Sequence, residues 1–234
     1  MLLPSAQANE GNWVEARSPN FIVVTDASPK QAVSTAIQFE QIRQLFQNSL
    51  SYAKGRPTPV ITILAAKDEN EMRELLPEYW EKKGHMHPAG VFLDSSYQWA
   101  IAVQLSGMGE NRYESIYHEY YHSLTMPYYP NLPVWVSEGL ADFYGNSKIV
   151  GKSAMLGMPD DNLIQLLRQE PLIPLSVLFE VQRSSPYYNE TSKVSIFYAE
   201  SWALIHYLMM GDNLAHRQQL SAYLGALEHG ATQD

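Results

Sequence analysis

The sequence predicts an α+β protein: a small N-terminal mixed sheet with helices, followed by a mainly helical lobe. Three observations predict it. Apolar runs of strand length fall in the first half: Phe21-Ile22-Val23-Val24-Thr25, Pro59-Val60-Ile61-Thr62-Ile63-Leu64, and the pair Ala89 to Leu93 and Trp99 to Leu105. From Asn111 onward helical apolar spacing dominates. The chain has 234 residues, 45% hydrophobic and 18% charged, which suits an ordinary globular protein with a sizeable core. The expected division is residues 1–12 unstructured or the remnant of a leader, 13–110 an α/β lobe, and 111–230 a helical lobe, the two lobes forming one compact unit.

Each element follows from local chemistry. Met1-Leu2-Leu3-Pro4-Ser5-Ala6-Gln7-Ala8 ends in the A-x-A form of a signal-peptidase site, without the basic head and long apolar stretch of a whole leader. Read as the tail of such a leader, it implies a periplasmic or secreted protein. Read otherwise, it is a short unstructured terminus. The first strand is Phe21 to Thr25, after Pro19. Asp26 to Pro29 supply a turn and a helix start, and Val33, Ile37, Ile42, Leu45, Phe46 and Leu50 give helical spacing to about Ala53.

Pro59 to Leu64 reads as a fully buried strand. Asp68-Glu69-Asn70-Glu71 opens a short helix to about Trp80, and Glu81 to Pro88 form a polar loop. The runs at 89–93 and 99–105 make a hairpin through Asp94-Ser95-Ser96-Tyr97. In the helical half, Leu172-Ile173-Pro174-Leu175 and Pro186-Tyr187-Tyr188-Asn189 read as loops. Ile196 to Met210 read as a helix ended by Gly211, and Leu214 to Leu227 as another.

Composition excludes several function classes. A net charge of −9 with no run of Lys or Arg argues against a nucleic-acid partner, since phosphates call for a basic face. There are no cysteines, so disulfides and thiolate metal sites are absent, and any metal must use His, Asp or Glu. No run of about 18 apolar residues offers a transmembrane helix.

The chemistry concentrates in His118-Glu119-Tyr120-Tyr121-His122, an H-E-x-x-H sequence, and in Glu138, sixteen positions after His122. Two histidines four apart on a helix project to one side. With one carboxylate they make a donor set that holds zinc and leaves a fourth position for water, beside which Glu119 serves as base. H-E-x-x-H by itself arises by chance in about one chain in a hundred of this size, so its context matters. Gly109 and Pro127 bound a helix, and Ile116, Tyr120 and Leu124 recur at four-residue spacing as a buried stripe. Pro133 and Gly145 bound a second helix, with Trp135, Leu140, Phe143 and Tyr144 apolar. On it Glu138 and Asp142 are four apart and share a face, so one carboxylate can ligate and the other, Asp142, can orient His118.

These segments resemble a known family. H-E-x-x-H followed on a second helix by E-x-x-x-D is similar to the gluzincin zinc metallopeptidases. The stretches Tyr117 to His122 and Leu132-Pro133-Val134-Trp135-Val136-Ser137-Glu138-Gly139-Leu140-Ala141-Asp142-Phe143 are similar to the bacterial peptidase-MA-like group. The likeness is strong over about residues 113–145 and looser from Trp13 to about Leu227. It implies a zincin-like fold with the active-site helix between sheet and helical lobe, and an edge strand that pairs with extended substrate. The hairpin at 89–105 is the candidate edge. The segment Phe197-Tyr198-Ala199-Glu200-Ser201-Trp202-Ala203-Leu204 resembles the aminopeptidase-type stretch that supplies a tyrosine to the oxyanion, which assigns that role to Tyr198. His206 is its rival, two helical turns further on. His85 and His87 sit in a Gly-Pro-flanked loop, and His216 and His229 in a polar tail. Relatives of this kind continue with further helices or repeats, which would make this chain part of a longer protein.

The expectation is therefore a hydrolase: an endopeptidase acting on a peptide or protein substrate, with one Zn2+ per chain. His118, His122 and Glu138 are its metal ligands and Glu119 its general base. Endopeptidase is favoured over aminopeptidase because Gly90-Val91-Phe92-Leu93-Asp94 lacks the glutamate of the G-x-M-E-N stretch that grips a free amine, and Asp94 is a weak substitute. The alternatives are a catalytically silent zinc-binding scaffold or interaction domain, and a non-peptidase zinc hydrolase on the same fold.

Overall fold

A computed structural model of the chain, described for residues 5–8, 13–49, 59–81, 89–94, 99–106, 114–126, 129, 131–150 and 153–231, shows an α+β fold with an N-terminal mixed sheet and abundant helix. The loop at 82–88 with His85 and His87, and the turn at 95–98, lie outside the described residues. The chain divides into two compact units.

The first unit holds a six-stranded sheet among the described residues. Its elements are β1 (Ser5–Ala8), β2 (Val14–Arg17), β3 (Phe21–Thr25), α1 (Pro29–Ser49), β4 (Ile61–Ala66), α2 (Glu69–Leu75), α3 (Glu78–Glu81), β5 (Gly90–Asp94), β6 (Trp99–Gln104) and α4 (Glu114–Thr125) as far as Leu124. The order is β1-β2-β3-β4-β6-β5. The central strands β3, β4 and β6 are parallel; the outer pairs are antiparallel. Parallel neighbours need a crossover, and α1 supplies it between β3 and β4.

Strand parity sorts the core into two layers. Phe21, Val23, Ile61, Ile63, Ala65, Ile101 and Val103 share one face by register and are fully buried or nearly so. That face receives α1 and α4. Phe21 meets Phe39 at 5.1 Å between ring centroids and Tyr120 at 5.4 Å. The opposite face carries Leu64, Ala66, Ala102, Val91 and Leu93, packed with Met72, Leu75 and Leu76 from α2 and its end.

Three expectations about this unit change. Residues 5–8 form a strand where the sequence suggested no regular structure: β1 runs antiparallel to β2, from Ser5 opposite Arg17 to Ala8 opposite Val14. An edge strand needs only the backbone groups its neighbour offers, which side-chain patterning does not reveal. The helix expected from Asp68 to Trp80 is two helices, because Pro77 has no N–H and disfavours helical backbone at Leu76, whose φ is −135°. The boundary between units falls after Leu124 rather than at residue 111. The reason is the apolar stripe of α4, which belongs to the sheet's core.

The second unit is built of α5 (Val134–Gly145), α6 (Asp161–Gln169), α7 (Leu175–Phe179), α8 (Pro186–Asn189), α9 (Thr191–Met210), a 3-10 turn (Gly211–Leu214) and α10 (Arg217–Glu228). A two-stranded ribbon, β7 (Lys148–Val150) and β8 (Ser153–Met155), lies between α5 and α6 in sequence, but residues 148–154 group with the first unit. Of the segments read as loops, 172–175 leads into the short helix α7 and 186–189 is the short helix α8, each begun at or just after a proline, which suits a first turn.

Every residue of α5 from Trp135 to Gly145 is buried, so this helix is an axis of the unit and not an amphipathic surface helix. Gly139 explains how close the packing is. A Cβ there would stand 2.4 Å from the Ser201 carbonyl oxygen of α9. No helix of the described residues is long and apolar enough to cross a membrane.

Candidate metal centre

The H-E-x-x-H residues lie on α4, whose buried stripe fixes the helix's rotation. Ile116 and Tyr120 are fully buried, and Leu124 nearly so. The Tyr120 ring stacks on Phe46 at 5.8 Å and meets Phe39 edge-on at 6.0 Å. Tyr117 Oη adds a hydrogen bond to Gln38 Oε1 at 2.8 Å. With that side held by α1 and β3, His118 and His122 project from the other, as residues four apart on a helix must.

The two imidazoles face each other through matching atoms. His118 Nε2 and His122 Nε2 are 3.0 Å apart, with ring centroids at 4.7 Å. Two nitrogens on one tetrahedral zinc, at bond lengths of about 2.0–2.1 Å, stand about 3.3 Å apart. The pair is within about 0.3 Å of that bite, and His122 is only 6% exposed. The donor chemistry fits zinc.

Glu119 is half-buried and lies against the first residue of the edge strand β5. A Cβ on Gly90 would meet Glu119 Cγ at 2.6 Å and the Ser115 carbonyl oxygen at 3.4 Å. Gly90 therefore makes room for the Glu119 side chain. Among the described residues β5 is an outer strand of the sheet.

Glu138 and Asp142 lie on α5 in the second unit and are 1% and 8% exposed. That excludes two solvated surface acids. Buried carboxylates need partners, and Tyr188 is one: its hydroxyl donates to Glu138 Oε1 at 3.0 Å. Tyr198, one helical turn or more into α9, donates in turn to Tyr188. The two phenol rings lie near-parallel at 6.2 Å. Burial holds the Tyr198 hydroxyl well above its ordinary pKa, and the Glu138 carboxylate, Tyr188 and Asp142 push it the same way. Burial and the Glu138 charge likewise raise Tyr188. Both are hydroxyls, and so donors, throughout the neutral range.

The structure thus assembles two groups: His118, Glu119 and His122 on α4, and Glu138, Asp142, Tyr198 and Tyr188 around α5 and α9. Asp142 also accepts the Asn146 N–H (2.9 Å) and Nδ2 (3.1 Å) through its backbone carbonyl, closing the end of α5. Tyr188 is absent from the sequence expectation. It sits in a short Pro-Tyr-Tyr-Asn stretch, 50 positions from its carboxylate, and no periodicity links the two. His206 plays a packing role: its Nε2 lies 3.1 Å from the Gly157 carbonyl oxygen, and its ring rests between Trp202 and Phe143. His216 is in an exposed cluster with Asp212 and Tyr207, where the Asp212 carboxylate raises its pKa.

Over residues 113–228 the chain is similar to a family described as "Protein of unknown function (DUF1570)". That span takes in α4 to α10, including every residue of both groups. No curated protein matches the chain.

Proposed function

We propose that the protein is a zincin-like, zinc-dependent endopeptidase in which His118, His122 and Glu138 hold one metal ion. The observation that carries the reading is the imidazole pair, with Nε2 atoms 3.0 Å apart on a helix that also bears Glu119. Two neutral imidazoles and a buried carboxylate are a donor set zinc favours, and one that leaves a position open for water. Zinc held there would lower the pKa of a water toward neutrality and polarise a peptide carbonyl.

The remaining work falls to the chain's own residues. Glu119 takes the proton of the attacking water and returns it to the leaving amine. Asp142 orients His118 by accepting from its ring N–H, which sets the tautomer. Tyr198 turns its hydroxyl from Tyr188 to the developing oxyanion and donates a hydrogen bond to it. Its raised pKa supports this role, because a donor must be protonated at working pH. The edge strand β5 binds an extended substrate by strand addition, supported by its outer position and by Gly90 against Glu119. Its sequence, Gly90-Val91-Phe92-Leu93-Asp94, carries no glutamate to grip a substrate amine, which favours cleavage within chains.

Elemental analysis and a casein turnover assay test the proposal together. One zinc per chain is expected in the wild type, and none in His122→Ala. Glu119→Gln keeps the zinc and loses turnover by about 10²–10⁴-fold, the usual contribution of a positioned base. Stoichiometric zinc with no turnover on casein or on a peptide library would make the chain a zinc-binding scaffold, and wild-type protein without zinc would end the reading.

A further inference from the structure

We infer that Tyr188 is a positioning residue for the proposed metal ligand Glu138, an inference that rests on the zinc reading above. Its hydroxyl donates to Glu138 Oε1 at 3.0 Å, and Glu138 is 1% exposed. A carboxylate turns about its last bond. A hydrogen bond to one oxygen fixes that rotation, and with it the oxygen that faces the ion. The tyrosine can do this because it is itself held on three sides. Its ring lies near-parallel to Tyr198 at 6.2 Å and edge-on to Phe197 at 6.0 Å. Tyr198 donates to its oxygen. The short helix that carries it is tied down by Asn189 Nδ2, which donates to the carbonyls of Arg183 (2.7 Å) and Ser185 (3.0 Å).

A hydroxyl with no other task would not need such an enclosure. Two tyrosines in series run from α9 to the carboxylate, and with no substrate present the hydrogen bonds run from Tyr198 to Tyr188 to Glu138. Tyr188 thereby spaces the residue proposed to act on the oxyanion from the residue proposed to hold the metal. The adjacent Tyr187 takes no part in this chain: its ring lies 5.9 Å from the Lys193 ammonium.

The test measures zinc affinity directly, by competition with a chelating dye, on the full chain. Tyr188→Phe keeps the ring and loses only the hydroxyl. Its zinc dissociation constant rises about tenfold or more, the usual cost of losing a partner that orients a ligand. The visible spectrum of the cobalt-substituted protein changes with it, which a mere packing role would not produce. Tyr187→Phe keeps wild-type affinity. Wild-type affinity and an unchanged cobalt spectrum in Tyr188→Phe, or an equal loss in Tyr187→Phe, overturn the inference while leaving the zinc reading intact. A wild-type chain that binds no zinc overturns both. Should Tyr188→Phe fail to fold, the unmutated protein still decides: the ¹³Cζ resonance of Tyr188 shifts on zinc addition if the bond is coupled to the ion, and an unmoved resonance refutes it.

Discussion

At the scale of single residues, the chemistry that sequence spacing fixes is legible and the chemistry that tertiary contact fixes is not. His118 and His122 are legible because four residues is one helical turn, and Glu138 and Asp142 for the same reason. Tyr188 is not, because only the fold brings it to Glu138. Glu200 is a second such case and carries a prediction. It sits two residues after Tyr198, is 7% exposed, and accepts the Ile173 N–H. Burial raises its pKa, and the Ile173 hydrogen bond offsets part of that. The sign follows from the raised value. The folded state favours the neutral carboxyl, so the contribution to stability is full below the ordinary carboxyl pKa and is lost as pH rises through the raised one. Above that raised pKa the fold carries a buried charge. Glu200→Gln keeps an oxygen for Ile173 and removes that charge. Its melting temperature is therefore expected above wild type at pH 7, with the gain vanishing by pH 4. A variant less stable than wild type at pH 7 would mean that the charged hydrogen bond outweighs burial.

At the scale of elements, apolar periodicity located β3, β4, the β5–β6 hairpin and the helices α1, α4, α5, α9 and α10 but not β2 or α6, and two glycines show what else it leaves out. The motif Glu138-Gly139-Leu140-Ala141 reads in sequence as one face of a helix, but α5 is buried all round. Gly139 is the reason, since it admits the backbone of α9. Gly90 is similarly silent in sequence and makes room for Glu119. The neighbours differ in kind. At Gly139 a Cβ meets backbone: the Ser201 carbonyl oxygen at 2.4 Å and carbon at 2.8 Å. At Gly90 the near atom belongs to a side chain with several rotatable bonds. Gly139→Ala must push two helices apart and is expected to cost about 1–3 kcal/mol, the usual range for overpacking. Gly90→Ala costs less stability but displaces Glu119, so zinc stays and turnover falls. Urea denaturation midpoints and turnover assays on the pair check the crossing of effects. Equal loss of stability in both would refute the distinction.

At the scale of the whole molecule, the sequence showed sheet before helices but misplaced the division between them. The H-E-x-x-H helix looks like the first member of the helical half, yet Ile116 and Tyr120 bury it with Phe21, Phe39 and Phe46. His118 and His122 therefore belong to the first unit and Glu138 to the second. The proposed zinc ion takes its ligands from two helices, α4 and α5, and this has a thermodynamic consequence. A ligand that binds only the folded state stabilises it by RT ln(1 + [L]/Kd), about 2.7 kcal/mol at a hundredfold excess over Kd. When its ligands come from two helices, local opening of either one releases the ion, so both share the stabilisation. Hydrogen exchange reads this separately in each helix. Zinc is expected to slow exchange in α4 and α5 together. His122→Ala, a change in α4 alone, should abolish the slowing in α5 as well, and Glu138→Ala should abolish it in α4. Protection confined to α4 would mean that the two histidines bind metal without Glu138. The three-ligand centre, and the hydrolytic chemistry built on it, would then fall.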